Sequence, residues 1–287
     1  MIEKIVKLPD YFLFTKPHLD LFISVLRKIY TTKSNEIILD FSGILDMNES
    51  DLMILFAQIE KTGYDKKVIF KKRPTLPKAR KPNNILSNKI GVFHNSTTNF
   101  NSESVEKYAD INTEIVDKIV LELKRIGIKD YYSAFYTFLI ELIGNATEHG
   151  IENRQINWWL INKIDNKTKQ INYVFVDMGS GIIGSHKKVG LPFKYYFTSA
   201  TKILTDAFKG KLRSSTKIDN RGKGLPQLFG FIKNDVVSNF TITTNTVTMH
   251  FENDLLVTSK NKNFIGTYYS WSINNDNYIK WKNSKLK

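Results

Sequence analysis

The sequence has 287 residues, a formal net charge of +14 at pH 7 and no cysteine, and 41% of its residues are hydrophobic. That apolar fraction is enough for packed cores, so the composition excludes a disordered chain and fits two modest domains or one large one. Without cysteine, disulfide frameworks, thiolate metal sites and cysteine nucleophiles are excluded as well.

Hydropathy and charge indicate the cellular location and the class of binding partner that we expect. The first seven residues lack the apolar core of a signal peptide, and no apolar run approaches the length needed to cross a bilayer. We therefore expect a cytoplasmic protein without a membrane partner. The positive charge suggests nucleic acid, but most of the basic residues are lysines, whereas specific nucleic-acid readers interleave arginine and aromatic residues. Nucleic acid is thus the less favoured partner.

Residues 1–95 alternate between strand-like and helix-like patterns, which predicts a small α/β domain. A polar, aperiodic stretch over 96–103 predicts a linker to a second domain over 104–275. Within the first domain the predicted strands are 37–39 and 68–70, and the predicted helices are 19–30, 52–59 and 85–90.

After the linker, a helix from about Tyr131 to His149 is predicted to carry a polar stripe. Glu141, Asn145 and His149 recur every fourth residue, so on a helix they share one face. An Asn amide oxygen suits Mg²⁺, and a carboxylate can orient and deprotonate a water that attacks a phosphoryl group. The stripe therefore predicts a helix that serves a magnesium nucleotide, with Asn145 as metal ligand and Glu141 as general base.

A second motif places an acid at the end of a strand. Asp177 follows the β-rich apolar segment 171–176, and Gly179 and Gly181 come directly behind it. A carboxylate in this position can accept a hydrogen bond from a purine amino group, while the glycines let the backbone approach the base. The motif therefore predicts a pocket for adenine.

A third motif, Gly222-Lys223-Gly224, precedes an apolar stretch over 225–232 that predicts a helix. Glycines at the start of a helix expose backbone N–H groups that suit phosphate oxygens. Arg221 and Lys223 flank this turn and are the best candidates to contact phosphate through their side chains.

The segment between the second and third motifs is long and basic, and Asp206 and Asp219 are its only acids. Loops of this length within a domain are usually functional lids. Aromatic and apolar residues recur at helical spacing over 193–208, which predicts that part of the lid is helix packed on the core.

Three strands, near 236–243, 247–251 and 264–272, are predicted to complete a mixed sheet with helices on one face. Beyond them, residues 276–287 are polar apart from three apolar side chains, and we expect a tail that is mobile or serves as an interaction segment.

In this order, the three motifs resemble the N, G1 and G2 boxes of the GHKL (Bergerat-fold) ATP-binding family. The first motif, 141–150, is most similar to the anti-sigma-factor serine kinases, and the segment 264–268 resembles the strand whose Gly-Thr pair closes the adenine pocket. The resemblance covers 104–275 and implies a Bergerat-type α/β sandwich that binds ATP and Mg²⁺, with Thr267 supporting adenine recognition and the basic segment as the ATP lid.

The first domain weakly resembles a STAS domain, on the strength of residues 37–43 and 48–52. In that family a serine at the helix start is phosphorylated by a GHKL kinase, and Ser50 lies at that position. Glu49 and Asp51 depart from the usual serine and glycine. An ordinary helix N-cap with an acid in the first turn is the favoured interpretation of this segment.

Three functions fit these motifs, and the sequence does not separate them. The favoured one is an ATP-hydrolysing regulatory switch that acts on a protein partner. The second is a serine/threonine kinase of the anti-sigma-factor type, because phosphoryl transfer to water or to a hydroxyl uses the same positioning residues. The third is a nucleotide-binding module without turnover that contacts nucleic acid. Homodimerisation is left open.

Overall fold

Two β-sheets, with helices packed on both faces of the larger one, organise the computed structural model of this chain. The smaller sheet is parallel and the larger one is antiparallel in every described strand pair, so the predicted α/β class is confirmed. The structure describes residues 3–34, 36–62, 68–71, 91–94, 111, 113–149, 158–212, 224–252 and 255–285.

The parallel sheet contains β1 (Glu3–Lys7), β2 (Glu36–Asp40) and β3 (Val68–Lys71) in that order. Helix α1 (Leu19–Thr31) follows β1 and helix α2 (Glu49–Thr62) follows β2, as parallel neighbours require crossover connections. The predicted helix at 85–90 and the predicted linker at 96–103 lie outside the described residues.

The strands of the antiparallel sheet are β4 (Gly91–His94), β5 (Trp158–Asp165), β6 (Gln170–Asp177), β7 (Ser238–Glu252) and β8 (Leu255–Ile273). Their order is β4-β5-β6-β8-β7, and the predicted mixed sheet is therefore wrong for the described strands. Short connections join β5 to β6 and β7 to β8, and a hairpin connection makes neighbouring strands antiparallel. The sequence assigns β4 to the first domain, yet β4 pairs with β5 of this sheet.

Strand β7 is longer than predicted because it continues through an irregularity. The pairing register shifts around Thr244 and Asn245, where Asn245 adopts a φ of 50°. This bulge joins the predicted strands 236–243 and 247–251 into one strand, which then forms a long hairpin with β8.

One face of the antiparallel sheet is covered by helices that carry the main core. The helices of this part are α3 (Thr113–Leu121), α4 (Ser133–His149), α5 (Ile182–Val189), α6 (Ala200–Phe208), α7 (Gly224–Lys233) and α8 (Asn275–Ser284). Phe138 lies on α4 with its ring centroid 5.3 Å from that of Trp271 on β8, and the ring centroid of Phe135 lies 5.4 Å from that of Tyr173 on β6.

The opposite face of the antiparallel sheet is covered by α1, α2 and the segment before α1. Phe14 packs with its ring centroid 5.0 Å from Phe264 and 4.6 Å from Tyr268, both on β8. Trp159, Val176 and neighbouring side chains of this face share one core with the parallel-sheet unit. The sequence predicts helices on one face, whereas the first unit supplies cover for the second face as well.

Residues 275–284 form helix α8, whereas the sequence predicts a polar tail over 276–287. A capping box between Asn274 and Asn277 starts the helix, and Tyr278 is buried. The hydroxyl of Tyr132 donates to the backbone oxygen of Asn277 at 3.1 Å, which ties α8 to the start of α4. No helix within the described ranges is both long and apolar enough to cross a membrane.

Candidate functional site

The polar stripe of α4 lies at the edge of the helix bundle. Leu142, Ile143 and Ala146 are buried in the core, so the helix turns its opposite edge, with Glu141 and Asn145, toward α7. Both of these side chains are half-buried. The predicted helix is confirmed over 133–149, while the side chain of His149 lies outside the described residues.

Residues from three separate parts of the sequence meet around one cleft. The cleft has an enclosed volume of about 30 Å³, and a volume of about 410 Å³ when the space open to solvent is included. Five predicted site residues line it, and they come from α4, from the bend after β6 and from β8. These five are Asn145, Asp177, Gly179, Gly181 and Thr267. Six further residues that the sequence does not predict as site residues also line the cleft, and they are Ser180, Ile182, Ser185, His186, Leu225 and Tyr269.

Asp177 is the buried acid of the cleft, with a relative exposure of 7%. Burial is the largest influence on the pKa of this carboxyl group and raises it to about 6. The backbone N–H of Gly179 donates to Oδ1 at 2.9 Å. This bond and the hydroxyl of Thr267 both lower the pKa, but by less than burial raises it. Thr267 is also its partner across the β6–β8 pair. The carboxylate is thus fixed in orientation and only partly compensated for its loss of water.

Two glycines make room for this carboxylate. A Cβ on Gly179 would lie 2.9 Å from Oδ1 of Asp177. Gly266 on β8 adopts a φ of 126°, and a Cβ there would overlap the backbone oxygen of Asp177. Only glycine fits at these positions without a shift of the acid or of the backbone beside it.

The bend after Asp177 is held in place by two side chains from the β7 bulge. Thr244 Oγ1 accepts from the backbone N–H of Ile182 at 2.9 Å, and Asn245 Oδ1 accepts from those of Ile183 and Gly184 at 3.1 and 3.2 Å. These bonds satisfy N–H groups in the first turn of α5. The sequence predicts strands on either side of Thr244 and Asn245 but not this contact, because the pairing of a distant side chain with a helix start leaves no local pattern.

Asn145 lies against the first residue of α7. A Cβ on Gly224 would overlap Oδ1 of Asn145, so the two motifs are in direct contact. The Nδ2 atom of Asn145 is buried, and among the described residues it has no hydrogen-bond partner. A buried amide group without a partner is costly and calls for an explanation such as a bound ligand.

Glu141 lies one turn before Asn145, outside the set of cleft-lining residues. When the amide of Gln227 is oriented with its nitrogen toward Glu141, it donates to both carboxylate oxygens at 2.8 and 2.9 Å. Gln227 belongs to α7, so this contact is a second link between the first and third motifs.

Part of the third motif and of the lid is not described. Arg221, Gly222 and Lys223 lie outside the described residues, whereas Gly224 begins α7. The predicted helix at 193–208 is present as a short 3-10 helix, Phe193–Tyr195, followed by α6. Ser199 separates the 3-10 helix from α6, because its side chain caps α6 by accepting from the backbone N–H of Lys202.

A divalent cation would find few protein ligands near the cleft. Within the described ranges, no group of three or more His, Asp or Glu side chains could hold a metal ion. Mg²⁺ usually binds through one or two protein oxygens together with phosphate oxygens and water. The single amide oxygen of Asn145 fits that mode, and does not fit an ion held by protein alone.

Ser50 is held within the start of α2. Its hydroxyl donates to Oδ1 of Asn48 at 2.6 Å, and the backbone N–H of Asp51 donates to the same atom at 2.9 Å. The carboxylate of Asp51 accepts in return from the backbone N–H of Asn48 at 3.0 Å. Asn48 and Asp51 thus form a reciprocal cap, so Asn48 rather than Ser50 is the N-cap residue.

A scan against models of protein families finds no match for the chain. A search of curated proteins likewise finds no match. A function for the chain therefore has to come from the chemistry of the cleft and of the surfaces around it.

Proposed function

We propose that the cleft binds ATP as its magnesium complex, in a Bergerat-type arrangement of the GHKL family, and that the chain is an ATP-hydrolysing switch acting on a protein partner. One observation carries the proposal: Asn145, Asp177 and Thr267, from distant parts of the sequence, line one cleft together with the two glycines of the bend. If the three motifs were unrelated, their residues would not be expected to line the same cleft.

The buried end of the cleft suits adenine. Asp177 offers a carboxylate whose orientation is fixed by the backbone N–H of Gly179 and by the hydroxyl of Thr267. Gly179 and Gly181 present backbone without side chains at the wall of the cleft. An exocyclic amino group of a purine can donate to Asp177. The site should therefore bind a purine with an amino group at that position more tightly than one with an oxygen there.

The other end suits a triphosphate. Asn145 would supply an oxygen to Mg²⁺, which when bound neutralises charge on the phosphate oxygens. Gly224 begins α7, and backbone N–H groups at a helix start favour anions. In the proposal Arg221, Gly222 and Lys223 add further phosphate contacts directly before this helix.

Glu141 is the proposed general base. With its amide nitrogen turned toward Glu141, Gln227 donates to both oxygens of this carboxylate from the side of α7, which fixes the orientation of the carboxylate relative to the first turn of that helix. A carboxylate held in this way can orient a water, or a hydroxyl, and take its proton as the phosphoryl group is transferred.

The packing of the first unit supports a role as a switch. Met178 follows Asp177 directly, and it is buried in the core shared with Phe14 and α2. A change in the bend on nucleotide binding would therefore act on side chains that contact the first unit. That unit is the proposed site at which a protein partner senses the nucleotide.

Incubation with γ-labelled ATP tests the proposal. We expect released phosphate from the wild type and none from Glu141→Gln, with nucleotide binding retained by the variant. Label on the protein or on an added protein, lost in Glu141→Gln, would instead support the kinase, and Ser50→Ala would show whether Ser50 accepts it. Binding without either product would support the module without turnover.

A further inference from the structure

A cluster of exposed aromatic side chains lies in the lid, between α5 and α6. Phe193, Tyr196 and Phe197 have relative exposures of 78%, 67% and 86%. The ring of Phe193 lies 5.8 Å from that of Phe197 and 6.4 Å from that of Tyr196. We call these three residues the aromatic cluster. Adjacent exposed aromatic side chains on a folded surface mark an interaction site.

The aromatic cluster is held on a rigid turn. Tyr195, in the middle of it, is buried, and its hydroxyl donates to Asp206 at 3.0 Å. Lys202 donates to both oxygens of the same carboxylate at 2.7 Å. Backbone hydrogen bonds from Tyr195 to Pro192 and from Tyr196 to Phe193 close the 3-10 turn. The exposed rings are therefore presented by an anchored backbone, which lowers the entropy lost on binding.

The stretch of chain that carries the aromatic cluster is strongly basic. The described lid, 182–212, contains one acid, Asp206, which is buried and paired with Lys202. All lysines of this stretch are exposed, and they are Lys187, Lys188, Lys194, Lys202, Lys209 and Lys211. A partner for this surface has to combine negative charge with flat apolar groups.

We infer that the aromatic cluster and its lysines bind single-stranded nucleic acid. Unpaired bases stack on exposed aromatic rings, and lysines contact the phosphates between them. A second copy of the chain is disfavoured as occupant, since two chains with a net charge of +14 each would bring basic surfaces together. The exposed large apolar side chains of this stretch are all aromatic, so each offers a ring on which an unpaired base can stack.

None of the three aromatic residues lines the proposed ATP cleft, so stacking of bases on their rings does not require ATP binding.

Fluorescence anisotropy with labelled 20-nucleotide oligothymidylate and oligouridylate tests it on the full chain. We expect at least tenfold weaker binding by the double variant Phe193→Ala, Phe197→Ala, with the salt dependence unchanged. Lys187→Gln with Lys194→Gln should reduce the slope of affinity against salt. Leu45→Ala is the control for the loss of an exposed apolar side chain, at 71% exposure in the first unit. The two oligonucleotides distinguish DNA from RNA.

Equal binding by the wild type and the double variant would overturn the inference, as would the absence of binding to both oligonucleotides. Sedimentation with phosphatidylserine vesicles that depends on Phe193 and Phe197, without oligonucleotide binding, would also overturn it and would identify a membrane surface instead. The substituted phenylalanines are largely exposed, so we expect the variant to fold as the wild type does.

Discussion

The side-chain amide of Asn145 packs directly against the Cα of Gly224, so closely that any Cβ at that position would overlap it. This contact joins the polar stripe of α4 to the first turn of α7. It places the proposed magnesium ligand beside the proposed phosphate-binding helix start, and it depends on a residue without a side chain.

Gly224→Ala is therefore expected to displace Asn145 and to weaken binding of magnesium ATP by about tenfold or more. Gly230→Ala is the matched control, because Gly230 lies on the same helix and nothing lies within 4 Å of a Cβ placed there. The control should bind ATP normally and be slightly more stable, since Ala is the better helix former. Isothermal titration calorimetry on both variants measures the difference, and equal affinities would show that the contact has no role in binding.

Asp177→Asn is expected to weaken ATP binding on the order of 10- to 100-fold, through loss of a charged acceptor for the adenine amino group. Burial raises the pKa of Asp177 to about 6. The affinity of the wild type should therefore be constant above pH 7 and fall as the pH drops below 6. The affinity of the variant should not change over that range, and a wild type without this pH dependence would exclude Asp177 from the base contact.

The same substitution is expected to raise the free energy of unfolding at pH 8. Because the folded-state pKa of Asp177 lies above the ordinary aspartate value of 3.8, its contribution to stability is full below pH 4 and is lost as the pH rises through 6. Removal of the charge should thus stabilise the fold by about 1 to 3 kcal/mol at pH 8 and by less at pH 4. Urea unfolding at the two pH values provides the comparison. If Asp177→Asn destabilised the protein equally at pH 8 and at pH 4, the result would contradict a buried charge at Asp177.

Gly266→Ala should destabilise the fold strongly. The φ of 126° is unfavourable for Ala, and the new Cβ would overlap the backbone oxygen of Asp177, for a combined cost of about 3 kcal/mol or more. Gly127→Ala separates the two causes, because Gly127 also has a positive φ but nothing lies within 4 Å of its Cβ position. That control should cost about 1 kcal/mol in thermal unfolding. Equal losses of stability in Gly266→Ala and Gly127→Ala would show that β8 does not approach Asp177 closely.

Phe14→Ala tests whether the first unit stabilises the large sheet. Phe14 is buried and contacts Phe264 and Tyr268 on β8, so its truncation should cost about 3 to 5 kcal/mol. Phe197→Ala, at 86% exposure, should change stability by less than about 0.5 kcal/mol. Chemical unfolding should follow a single transition in both. A separate early transition for Phe14→Ala, with the main one unchanged, would show that the two units fold independently.

The sequence predicts the parts of the site that local chemistry dictates. The spacing of Glu141 and Asn145 predicts a shared helix face, and the strand before Asp177 predicts an acid at a strand end, because these patterns depend only on helical and strand periodicity. The β-rich run through 171–176 places β6 within a residue of its observed bounds.

Long-range packing accounts for what the sequence does not predict. Thr244 and Asn245 act on α5 through side chains far away in the sequence, and the cover provided by α1 on the second face of the sheet depends on how two units meet. Its few apolar residues predict a polar tail for helix α8, yet Tyr278 is buried and Trp281 packs against the core. Such features follow from tertiary contacts, which periodicity does not encode.

Calorimetric titration of the full chain with magnesium ATP, for the wild type and for Asn145→Ala, tests the central claim most directly. Asn172→Ala is the matched control, because Asn172 is an exposed asparagine on β6 that bonds to Gln170. We expect saturable binding of one ATP to the wild type and to the control, and at least tenfold weaker binding to Asn145→Ala. A wild type that binds no ATP, or an Asn145→Ala variant that binds it as tightly, would contradict the assignment of this cleft.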